Sequence, residues 1–195
     1  EQNLTNMQAL VDDLYAHVKL YMDKPFALYG HSFGAYVALE LALRMERDSG
    51  NLKRLFVSSL QDPLHKFTFA SDGNIEEADN AKLLEFMNQQ GILYTTEGNS
   101  IQKMLSNNTF MQQLMPAIRA DMQLFNKYRY DQKAHLSIPI SYIYGEADPL
   151  LKGYTGVDWQ NVTDKEVIIT PVSGDHFFWM KDPYILAKLF NMFAA

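Results

Sequence analysis

The stretch PFALYGHSFGAYVALELAL, Pro25 to Leu43, constrains this chain more than any other. Phe26 to Tyr29 is a short, wholly apolar run, of the kind that forms a strand buried on both faces of a parallel sheet. Phe33 to Met45 then places apolar residues at helical spacing. Only Gly30-His31-Ser32 separates the two patterns, so the backbone must pass from strand to helix in one sharp turn. A strand that leads directly into a helix is the first half of a crossover unit, whose return strand runs parallel to it.

The turn itself reads Gly-x-Ser-x-Gly, Gly30 to Gly34. Between a buried strand and a helix, this pattern holds the serine in strained geometry with its Oγ exposed at the C-terminal edge of the sheet. Gly30 and Gly34 are both expected to be required, because a Cβ at either would crowd the turn and the helix–strand packing. The helix that starts here points free N–H groups and its positive dipole end at the serine. That makes the backbone N–H of Phe33 a candidate oxyanion donor and Ser32 a candidate nucleophile for acyl transfer. Five residues with three fixed positions arise by chance, and the flanking strand and helix are what give the motif its meaning.

Elsewhere strands and helices alternate. Leu4 to Met22 carries Met7, Leu10, Val11, Leu14, Val18 and Tyr21 at helical spacing and is closed by Asp23-Lys24-Pro25. The second helix ends at Asp48-Ser49-Gly50-Asn51, and Leu55 to Ser59 reads as the next strand. Ile140 to Tyr144 and Glu166 to Thr170 are two more, and Tyr184 to Phe193 is a closing helix. Residues 62–136 form an Asn- and Gln-rich, mostly helical insertion, broken at Asp72-Gly73-Asn74 and Glu97-Gly98-Asn99, which reads as a helical cap. The expected architecture is α/β: one domain with a mainly parallel sheet flanked by helices.

A nucleophilic serine needs a base and an orienting acid, which on such a sheet follow it in the order Ser, Asp or Glu, His. His65, His135 and His176 follow Ser32, and only His176, in PVSGDHFFW, lies in a loop after the last strand. His31 sits inside the turn and is expected to shape it; His17 fits a helix surface. Two acids end strands: Asp148 in YIYGEADP and Asp62 in FVSSLQDP. Asp148 is favoured, because it follows the penultimate strand and Pro149 stiffens the turn beyond it; Asp62 stays open. Glu146 reads as a solvated turn residue, and Asp175 adjoins His176 too closely to orient it. His176 would then take the Ser32 proton while Asp148 fixes the imidazole, with no metal or organic cofactor required.

Composition narrows the partners. A net charge of −6 argues against nucleic acid, whose phosphates demand excess Lys and Arg. No apolar run is long enough to span a bilayer, and Glu1 to Thr5 has neither the basic start nor the apolar core of a signal peptide. The absence of cysteine removes thiolate chemistry and suits a reducing, cytoplasmic setting.

With these residues in place, the chain resembles the type II, or external, thioesterases of nonribosomal peptide and polyketide synthesis, within the α/β-hydrolase superfamily. KPFALYGHSFGAYVALELALRME is similar to the family's nucleophile segment, PISYIYGEADPL to its acid strand and VSGDHFFW to its histidine loop. LMPAIRADMQLFNKYRY, with Pro116, Arg119, Asp121 and Tyr128, resembles its cap segment and is the most discriminating match. The resemblance implies hydrolysis of acyl thioesters on phosphopantetheinylated acyl or peptidyl carrier proteins, clearing misprimed synthases. It supports Asp148 over Asp62. It also implies that the chain is the C-terminal three-quarters of such a domain. The missing part would hold the N-terminal strands and a Phe-Pro-x-Ala-Gly-Gly-like loop carrying the second oxyanion N–H. The strand at Phe26 would then lack a neighbour. Alternatives compatible with the same triad are a general carboxylesterase or lipase, a product-releasing domain of a synthase, and an inactive binding subunit.

Overall fold

Two strands with side chains of opposite destiny organise the molecule. Along β2, Leu52–Ser58, Leu55 and Val57 face one hydrophobic cluster while Phe56 faces another. Along β3, Ile140–Gly145, Ile140 and Tyr142 join the first and Ile143 the second. This period-2 division, apolar on both sides, is what a sheet covered on both faces requires.

In the computed structural model, the described residues are 4, 6–48, 50–65, 77–96 and 100–192. β1 (Phe26–His31), β2, β3 and β4 (Val167–Val172) form one four-stranded sheet in sequence order, with every pairing parallel. The larger cluster packs α1 (Met7–Val18) and α2 (Phe33–Asp48) on one face. The smaller covers the other face with α6 (Phe178–Lys181) and α7 (Ile185–Asn191), through Phe178 and Leu189. Asn6 caps α1 by accepting from the amides of Gln8 and Ala9, so the helix begins three residues inside the expected start and ends in a 3-10 turn, Lys19–Tyr21. No helix of the described residues is long and apolar enough to cross a membrane.

Between β2 and β3 lie α3 (Asn80–Gln89), α4 (Ile101–Ser106), a π turn at Phe110–Leu114 and α5 (Met115–Lys127). They share a separate cluster of Leu83, Leu84, Met104, Met115 and Met122. The breaks expected at Asp72-Gly73-Asn74 and Glu97-Gly98-Asn99 lie outside the described residues. α5 is fastened to α2 by Phe125, stacked on Tyr36 at 5.8 Å and 10°, and by Tyr128, whose hydroxyl donates to Glu40 Oε1 at 2.7 Å.

Several boundaries differ from expectation. β1 runs on to His31 and is only partly buried, because it forms an edge of the sheet among the described residues; only Gly30 is fully covered. β2 starts three residues early, at Leu52: Lys53 stays exposed, and Arg54 donates to Ser141 and Glu166 beside it. β4 continues through Pro171, which is opposite Tyr144; a strand at the sheet edge tolerates a missing N–H.

Candidate active site

Ser32 sits between β1 and α2 with φ of 53°, a left-handed conformation that a residue with a side chain rarely adopts. Its N–H donates to Ser58 O at 2.8 Å and its carbonyl accepts from Ala35 N at 2.8 Å, so the turn is tied to β2 and to the new helix. Gly30 makes the turn possible: a Cβ there would strike Gly34 O and lie 2.6 Å from Gly34 C and 2.7 Å from Ala35 Cα. Gly34 differs from expectation, since a Cβ at that position meets nothing within 4 Å among the described residues. The close approach therefore falls on Gly30 alone. Phe33 opens α2, so its N–H is one of the helix-start amides without an intrahelical acceptor.

His176 follows β4 and is buried, its ring turned to the Ser32 turn. Its Nε2 lies 3.0 Å from Ser32 Oγ and its Nδ1 2.9 Å from Asp148 Oδ2. With Nδ1–H donating to the carboxylate, Nε2 is left to accept the serine hydroxyl proton. Asp148 is buried in the turn after β3, and its second oxygen accepts from Leu150 N at 3.0 Å. The two loops are laced together: Glu146 N donates to Val172 O at 2.9 Å and Ala147 N to Gly174 O at 2.8 Å. Gly145 permits that approach, since a Cβ there would strike Asp175 O and lie 2.6 Å from Gly174 O. Sequence reasoning passed over Gly145, although a glycine closing an otherwise bulky strand, YIYG, is a recognisable sign of close backbone contact. Asp175 itself turns away, accepting from Phe177 N and pairing with Lys181 at 2.9 Å. The Lys181 ammonium holds its carboxyl below the usual carboxylate range.

Asp62 stands apart from His176. It is fully buried and accepts from the Leu64 and His65 amides, from Tyr154 Oη at 3.1 Å and from His65 Nδ1 at 3.1 Å. The two acids that the sequence left in competition are thus spent on different histidines. Asp62, His65 and Asp158 also bring three possible metal-ligand atoms within 4.8 Å, but the hydrogen bonds above already occupy the Asp62 oxygens.

Beside His176, His31 Nδ1 is 2.8 Å from Ser58 Oγ, which Tyr29 Oη also meets at 2.9 Å. The His31 ring lies 5.0 Å from that of His176. Burial, with a smaller contribution from the neighbouring His176, pushes the His31 pKa down to about 3. A neutral His31 puts no fixed positive charge beside the His176 imidazole.

A cavity of about 160 Å³ opens at Ser32, walled by Phe33, Leu60, Met87, Ile92, Leu150 and one face of α5. Of the five cap methionines, Met104, Met115 and Met122 are core, Met111 packs against that core, and Met87 and Met122 reach the cavity. A serine, an imidazole acceptor, a helix-start amide and an apolar cavity in one place can support nucleophilic attack on an acyl carbonyl.

The thioesterase-domain family model matches residues 1–193. The gramicidin S biosynthesis protein GrsT of Aneurinibacillus migulanus is 27% identical over 185 residues, 94% of this chain and 68% of that protein. The medium-chain S-acyl fatty acid synthase thioesterase of Rattus norvegicus is 29% identical over 173 residues, 85% of this chain and 60% of the relative. The chain thus spans about two thirds of the length of these curated relatives. Among solved structures, the type II thioesterase BorB from the borrelidin biosynthetic cluster superposes with a TM-score of 0.76 at 23% identity, covering 98% of this chain and 72% of BorB. Likeness at that identity speaks to the fold, a parallel sheet flanked by helices of the α/β-hydrolase kind.

Proposed function

The chain belongs to the thioesterase domain family, and from that premise we propose that it hydrolyses acyl thioesters through Ser32, His176 and Asp148. The observation that carries the reading is the hydrogen-bonded chain Ser32 Oγ–His176 Nε2 and His176 Nδ1–Asp148 Oδ2, at 3.0 and 2.9 Å, beside an apolar cavity. Ser32 Oγ attacks the acyl carbonyl as His176 Nε2 takes its proton, and Asp148 steadies the imidazolium through Nδ1–H. The Phe33 N–H faces the developing oxyanion. The carbon–sulfur bond then breaks and His176 returns the proton to the leaving thiolate. Water, deprotonated by the same imidazole, cleaves the acyl-Ser32 ester and restores the hydroxyl.

The thiol is the phosphopantetheine arm of a carrier protein in the synthesis of nonribosomal peptides or polyketides, and the enzyme acts as a type II editing thioesterase. The kinship with GrsT and the cap segment around Arg119 and Asp121 support this substrate class. The helices α3 to α5, within residues 62–136, serve as the cap over the acyl pocket. The experiment is deacylation of an acyl-carrier protein by the parent and by Ser32→Ala. Loss of at least a thousandfold is expected, with fluorophosphonate labelling of the parent alone; activity within tenfold of the parent defeats the assignment. A preference for simple oxygen esters over the carrier thioester defeats the substrate class.

A further inference from the structure

α5 presents Ile118, Met122 and Phe125 to the cavity at Ser32, spaced four and then three residues apart on one helix face. Asp121, an exposed residue at the edge of this stripe, lines the same cavity. Among the described residues that wall it, it is the one charged residue, and the other side chains are apolar apart from Ser32. The carboxylate sits on the solvent side of the wall, and burial against that wall is the whole cause of its raised pKa. A carboxylate at the exposed rim of an otherwise apolar cavity is the feature there that can tell guests apart by charge. The triad chemistry does not use it.

We infer that Asp121 is a specificity-determining residue that selects acyl groups by charge, favouring thioesters whose acyl group bears an ammonium and disfavouring carboxylated ones. The inference rests on the thioesterase reading of Ser32. The cavity has room for roughly five water volumes, so a short acyl group on Ser32 shares one small space with this carboxylate. A like charge at the end of that acyl group meets a repulsion only partly screened by solvent, and an ammonium meets the corresponding attraction. Between charged and neutral acyl groups of similar size, the selectivity is about tenfold in each direction.

The test uses three pantetheine thioesters: butyryl, its ammonium isostere β-alanyl, and malonyl. Their kcat/KM values are measured for the parent, for Asp121→Asn and for Glu85→Gln, the same charge change on the exposed side of α3. Asp121→Asn is expected to raise the malonyl-to-butyryl ratio and lower the β-alanyl-to-butyryl ratio, each about tenfold; Glu85→Gln leaves both near the parent's. Should the Asn variant not fold, raising the salt from 0.05 to 1 M must raise the malonyl-to-butyryl ratio of the parent and lower its β-alanyl-to-butyryl ratio. Ratios that shift less than twofold in Asp121→Asn, that shift as far in Glu85→Gln, or that ignore salt in the parent overturn the inference while leaving the thioesterase reading intact. A parent that cleaves none of the three overturns the thioesterase reading, and the selector with it.

Discussion

Gly145→Ala places a methyl group where the histidine loop crosses the end of β3. A Cβ at Gly145 would lie 2.6 Å from Gly174 O, and it would strike Asp175 O more closely still. Contacts of that kind under 3.0 Å are essentially never seen, so Gly174 O alone must retreat by about 3.0 − 2.6 = 0.4 Å, and Asp175 O further. Both obstacles are backbone, so no rotamer change relieves them. The displaced segment is bonded to the acid loop through Ala147 N and leads straight into His176. The shift therefore acts on both the Ser32–His176 and the His176–Asp148 hydrogen bonds. A misplacement of around 1 Å at a catalytic group can cost about a hundredfold, so a loss of between ten- and a hundredfold in kcat is expected. Steady-state hydrolysis of an acyl-pantetheine thioester measures it, with thermal unfolding to separate lost geometry from lost fold. A Gly145→Ala enzyme that stays folded and keeps kcat within threefold refutes the claim that this glycine sets the histidine loop.

Two further outcomes distinguish groups that share chemistry but not role. Asp148→Asn leaves His176 without an anionic partner and is expected to lower kcat on the order of 10³–10⁴. Asp62→Asn is expected to cost about 1–3 kcal/mol of stability, read by denaturant titration, and less than tenfold in kcat; the reverse ranking would move the acid to Asp62. His31 supplies a pH dependence. Its folded pKa of about 3 lies below the ordinary 6.5, so below pH 6.5 the unfolded chain takes up a proton that the folded one refuses. Stability is thus lost as pH falls through this window, by about 1.4 kcal/mol per unit at most. His31→Gln is expected to flatten the fall in unfolding midpoint between pH 7 and 4.5, and identical slopes in parent and variant would disprove it.

Much of the arrangement was legible in the sequence where the physics is local. FALYGHSFG is both a strand-to-helix turn and a chemical motif, and the strand-end acids and the late histidine followed from chain order. What escaped depends on contacts between segments distant in sequence. The expected crowding at Gly34 is absent while that at Gly145 went unseen, because a glycine's need is set by what crosses it. The competition between Asp148 and Asp62 was open in sequence, since both end strands with Asp-Pro. The structure separates them through partners, Tyr154 and His65 for Asp62 and His176 for Asp148. Lys53 and Arg54 hid the start of β2, because a strand with polar heads reads as a turn until its neighbours appear.

The union of α5 with α2 has a mechanical consequence. Tyr36 stacked on Phe125 and Glu40 joined to Tyr128 fix the C-terminal half of α5 to the helix that springs from Ser32. The wall that carries Asp121, Met122 and Phe125 must then travel with Ser32 as one piece. Room for a larger guest has to come from the other walls, among them Met87 and Ile92 from α3 and its exit, Leu60 after β2 and Leu150 after β3. The pocket works like a caliper with one jaw fixed: whichever wall yields to a guest, the spacing between this side of α5 and Ser32 stays constant.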